Sequence, residues 1–63
     1  RDTRTYYFPS TRIGRHILNY LIERVGCSIG DIRKGADHLA VSITTQKSDI
    51  QKVERILQMY DLM

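Results

Sequence analysis

The sequence predicts a small α+β domain with the order strand, helix, strand, strand, helix, in which both helices cover one face of a small antiparallel sheet. Three observations carry this. Ile13, Ile17, Leu18, Leu21, Ile22 and Val25 recur at helical spacing. Leu39, Val41 and Ile43 alternate with Ala40, Ser42 and Thr44, the period of a half-buried strand. Ser48, followed three residues later by Gln51, reads as a capping box ahead of the apolar stripe Ile50, Val53, Ile56, Leu57 and Tyr60. At 63 residues the chain is one domain, 1–63, in which residues 1–4 are candidates for disorder.

Taken in order, Thr3 to Phe8 is rich in threonine and aromatics, which suits a strand, and Pro9 ends it. Ser10 or Thr11 is placed to cap the first helix and Gly26 to stop it. Cys27 to Arg33 forms the second strand, where Ile29 and Ile32 break the alternation and Gly30 between them permits a bulge. Lys34-Gly35-Ala36-Asp37 is a short hairpin link into the third strand, and the second helix starts at Ser48. A right-handed crossover from the first strand sets it beside the third, with the second beyond. That is a split βαββα arrangement of ferredoxin-like type without its last strand. The alternative leaves residues 1–8 unstructured, giving helix, hairpin, helix.

A chain of this length buries only about 60% of the surface its unfolded form exposes, so disulfides, a metal or self-association commonly supplement the core. Cys27 is the only cysteine, which excludes an intrachain disulfide. A zinc site would have to gather Cys27, His16, His38 and a carboxylate without any closely spaced ligand pair, so no metal or other cofactor is expected. Self-association is the remaining route. No apolar run approaches the roughly 20 residues that span a bilayer, and a lone thiol suits the cytoplasm. The chain opens on Arg1, as a fragment of a longer protein would.

The net charge is +3 and unevenly placed. Arg1, Arg4, Arg12 and Arg15 stand against Asp2 alone in residues 1–15, while the remainder carries six basic and six acidic side chains. The positive field of this segment favours an anionic partner; its alternative role is solubility. Arg12 and Arg15 fall in the first turns of the first helix, where the dipole and free N–H groups also favour anions. They are therefore the candidate ligand-binding residues for an anionic small molecule, against the plainer reading of two solvated arginines. Tyr6, Tyr7 and Phe8 form an aromatic run beside basic residues. Such a run packs a small core or a dimer interface, or stacks nucleic-acid bases on an open sheet; these three are the candidate interface residues. Cys27 reads as a small buried strand residue, His16 and His38 as surface histidines, and Asp31 and Asp37 as turn residues. No nucleophile–base pair, phosphate loop or dinucleotide fingerprint is present, and no catalytic residue or enzymatic activity is expected.

The run from Ile17 to Ile32, Ile17-Leu18-Asn19-Tyr20-Leu21-Ile22-Glu23-Arg24-Val25-Gly26-Cys27-Ser28-Ile29-Gly30-Asp31-Ile32, resembles the first helix and second strand of ACT regulatory domains. Those read as an apolar helix, a glycine and an I-x-x-I strand, and the strand around Val41 and the helix after Ser48 continue the likeness over residues 5–62. The resemblance implies a regulatory domain that pairs into a larger sheet and binds an amino acid near the loop before the first helix, here Pro9 to Arg15. The family's Pro-Gly step is absent from that loop, and Gly14 stands later, inside the helix.

The expectation is therefore a dimeric regulatory or protein-interaction module, with a nucleic-acid-binding protein using the basic N-terminal segment as the alternative. A third reading is an accessory subunit that adds a strand to a larger enzyme. A sheet ordered first–third–second leaves the first strand with one open edge, and no fourth strand follows the second helix to cover it. Natural proteins seldom leave such an edge bare, so the first strand is expected to pair with a second copy or a partner strand.

Overall fold

Strand β3, His38–Thr45, sets the layers. Leu39, Val41, Ile43 and Thr45 are buried on one face, and Ala40, Ser42 and Thr44 remain part-exposed on the other. The computed structural model describes all of residues 1–63. Strand β1, Asp2–Pro9, pairs antiparallel with β3 from Asp2↔Thr45 to Pro9↔His38 without interruption. Strand β2, Ser28–Lys34, pairs antiparallel on the other side, so β1 lies beside β3 with β2 beyond. Residues 2–4, candidates for disorder on sequence grounds, belong to β1: the Thr3 and Thr44 hydroxyls share a hydrogen bond of 2.7 Å, and Arg4 meets Glu54. The arrangement of helix, hairpin and helix with an unstructured start is thus not the one adopted.

In β2, Ile29 opposes Ile43 and Ile32 opposes Val41, so Gly30 and Asp31 face Ser42 alone. This is the bulge that the broken alternation anticipates, and it returns both isoleucines to the buried side of β3. The link to β3 is closed by the Gly35 N–H donating to the His38 carbonyl at 2.8 Å.

Helix α1, Arg12–Tyr20, runs on into a π-helical stretch, Leu21–Val25, that the apolar spacing does not reveal. Gly26 ends it at φ 84°, a left-handed conformation that glycine adopts without strain. The helix buries Gly14, Ile17, Leu18 and Leu21. Ile13, expected on the apolar face, is instead 61% exposed, and Ile22 is 42% exposed. The reason lies at Gly14, where a Cβ would stand 2.0 Å from the Pro9 carbonyl oxygen. Glycine lets the first turn rest against the end of β1, and this turns Ile13 aside. Thr11 is the N-cap but makes no side-chain cap bond.

Helix α2, Lys47–Met59, begins one residue earlier than expected. Gln46 is its N-cap and no side chain closes a capping box, so Ser48 and Gln51 do not act as the expected pair. Asp49 in the first turn complements the helix dipole instead. Ile50, Val53 and Leu57 are buried, Ile56 is half-buried and Tyr60 is exposed. At the far end the Leu62 N–H donates to the Leu57 carbonyl at 2.8 Å and the Asp61 N–H to Gln58 at 3.1 Å, with Asp61 at φ 59°. This is a Schellman motif, and it folds Leu62 back onto the core. One core unites Phe8, Ile17, Leu21, Val41, Val53 and Leu57, so both helices lie on the same face of the sheet.

Two substitutions test this packing by urea denaturation. Gly14→Ala, which helix propensity alone favours by about 1 kcal/mol, is expected to lower stability by about 1–3 kcal/mol because backbone must move. Asp61→Gly is expected to raise stability by up to about 1 kcal/mol, since a left-handed residue other than glycine is strained.

Candidate functional site

The sheet presents two edges and one open face. Along the outer edge of β1, alternate backbone N–H and C=O groups point away from β3. The strand keeps one register over its whole length, with no bulge or internal proline. The edge of β2 differs: the bulge at Gly30–Asp31 bends it, and Asp31, Arg33 and Lys34 stand exposed along it. Bulges and charges are the usual means of keeping an edge from pairing with copies of itself.

The aromatic run divides by alternation. Tyr6 and Phe8 point under the helices and are buried, so neither side chain is available to a partner. Only Tyr7 stands on the open face, where its ring meets His38 edge-on at a centroid distance of 5.6 Å. As candidate interface residues, Tyr6 and Phe8 can therefore contribute backbone alone. Sequence pattern places these two on one face but does not say that helices cover it.

Tyr6 has a partner that local pattern does not reveal. Its hydroxyl donates to Glu54 Oε2 on α2 at 3.0 Å, and Arg4 Nη1 donates to the same oxygen at 3.1 Å. Arg4 is thus engaged with Glu54 rather than free to meet an anion. Burial, and then the hydrogen bond to the Glu54 carboxylate, push the Tyr6 phenol from 10.0 up to about 12.

Arg12 and Arg15 are both exposed at the start of α1, with no acidic residue in its first turn and no ion pair of their own. Five residues of strand, roughly 17 Å at strand rise, separate Arg4 from Pro9, so the N-terminal arginines do not form one patch. The open face carries a shallow trough of 310 Å3 lined by Thr5, Tyr7, Asp31, Arg33, Ala40 and Ser42. Its one arginine is offset by one aspartate. Cys27 is buried, and burial pushes its thiol up, with Asp49 adding to the effect. His16 is exposed on α1 and His38 at the start of β3, where its Nδ1 lies 3.3 Å from Asp37. No three His, Cys, Asp or Glu side chains converge as metal ligands. No helix is long and apolar enough to cross a membrane.

No family model, curated protein or solved structure matches this chain.

The Tyr6–Glu54 contact has a pH signature. The folded-state pKa is raised, so its contribution is complete below pH 10 and is lost as pH rises from 10 towards about 12. Alkaline unfolding followed by circular dichroism is expected to show this loss in the wild type. Tyr6→Phe should lack that component.

Proposed function

We propose that this protein is a small homodimeric interaction module of ferredoxin-like, ACT-like kind, assembled through the edges of β1. The observation that carries the reading is the contrast between the two sheet edges. The β2 edge is bent and charged, whereas β1 offers an uninterrupted edge from Asp2 to Pro9. In the complete ferredoxin-like arrangement a further strand lies beside β1. A two-fold pairing of β1 with itself fills that place and extends the sheet across both copies.

The side chains select the register. Residues opposite one another lie on the same face, so each pairs with one of its own parity. Centring the axis on Arg4 sets two arginines opposite one another, which is unfavourable. Centring it on Thr5 pairs Asp2 to Phe8 throughout, with Thr3 opposite Tyr7 and Arg4 opposite Tyr6 of the second copy. The anion-facing end of such a module is the start of α1, with Arg12 and Arg15, and a regulatory ligand of small anionic type is the corresponding expectation. The charge balance of the open face does not favour nucleic acid.

Sedimentation of the intact chain is expected to show a monomer–dimer equilibrium in the micromolar range. Thr5→Cys should form a covalent dimer on mild oxidation, because the native Cys27 is buried. Gln58→Cys, exposed on α2, should not. A wild type that stays monomeric at high micromolar concentration, with no Thr5→Cys crosslink, overturns the reading.

A further inference from the structure

Away from β1, exposed aliphatic side chains border the other edge of the sheet. Arg15, Leu18 and Asn19 of α1, Ile22 of the π-helical stretch, and Ile29 and Ile32 of β2 line a groove of 380 Å3. Ile32 is 54% exposed and Ile22 42% exposed, so the groove is open along its length. Its origin is the bulge: because Gly30 and Asp31 together oppose one residue, Ile32 returns to the helix side of β2 at the outer rim. The chain thereby leaves branched aliphatic side chains beside a strand with unpaired backbone groups.

The ends of the groove differ in charge. Both β1 and β2 run antiparallel to β3, so they are parallel to each other, and α1 between them runs the opposite way. The start of α1 therefore lies toward the end of β2. Arg15 and Lys34 fall at that same end, and neither forms an ion pair. The opposite end is bounded by Ile22 and Ile29.

We propose that this groove takes an extended segment of a different protein, laid beside Ile32–Lys34 as an added strand, with alternate apolar residues and an acidic end at Arg15 and Lys34. Strand addition supplies main-chain hydrogen bonds for affinity, and the groove reads every second side chain. Charge complementarity selects the acidic end. A second copy of this chain fits poorly, because a two-fold pairing of β2 centred on Gly30–Asp31 would oppose two bulges, and one centred on Lys34 would oppose two lysines. An open groove also buries too little of a small molecule, since such ligands are mostly enclosed. The proposal is independent of pairing through β1.

The test is fluorescence anisotropy with the full chain and a labelled synthetic peptide of alternating valine and serine ending in two aspartates. Controls are the same peptide ending in two lysines, and a scrambled one with its valines adjacent. The expected result is saturable binding of the acidic alternating peptide only, weakened about tenfold, or 1.4 kcal/mol, by Ile32→Ser and by Arg15→Glu. The lysine-ended peptide should bind Arg15→Glu better than wild type. Both substituted side chains are exposed, and circular dichroism checks that the variants fold. Three outcomes overturn the proposal: no saturable binding up to millimolar peptide, binding indifferent to Ile32→Ser, or self-association in sedimentation that Ile32→Ser abolishes. The last would assign the groove to a second copy.

Discussion

Strand β3 is hydrogen-bonded on both sides, and it is the only strand of which this is true. Its alternation of Leu39, Val41, Ile43 and Thr45 with smaller or polar residues gives the sheet one apolar face and one polar face. A slip of a single residue against either neighbour would turn that face to solvent. Both helices, the register of β1 and the bulge in β2 are solutions to the same constraint. Ile17 of α1, Leu21 of the π-helical stretch that follows it, and Val53 and Leu57 of α2 have nothing else to cover.

The period of β3 and the apolar spacing of α1 and α2 are local signals, and they survive folding because burial follows them. The bulge was legible for the same reason: Ile29 and Ile32 cannot both face the core of a regular strand, and a glycine stands between them. What was not legible depends on contacts between distant segments. Ile13 fits the helical stripe as well as Ile17 does, but the contact of Gly14 with Pro9 rotates it outward. The Ser48 and Gln51 spacing fits a capping box, yet the helix starts at Lys47 behind Gln46. Tyr6 and Arg4 share Glu54 across 48 and 50 residues of sequence, beyond the reach of any local pattern.

That shared carboxylate also changes the meaning of the charge distribution. Read along the chain, Arg1, Arg4, Arg12 and Arg15 form a basic segment. In the fold, Arg4 faces α2 and is neutralised, while Arg12 and Arg15 stand at the start of α1 beyond the far end of β1. The aromatic run divides likewise, with two rings in the core and one on the open face. Features adjacent in sequence thus serve different surfaces. The open edge of β1 is a backbone surface, for which side-chain composition gives little warning.

The bulge in β2 adds one residue to the strand. Were either Gly30 or Asp31 missing, Ile29 and Ile32 would stand two apart and would still oppose Ile43 and Val41 in a regular ladder. The apolar interior would keep the same members. The extra residue therefore adds no member to the core, and its further effect falls on the outside of the sheet. Without it, β2 would be a straight ribbon with isoleucines along its border, the sort of template on which unrelated chains stack into insoluble fibres. A single additional residue makes the difference between a border that selects its neighbour and one that accepts any.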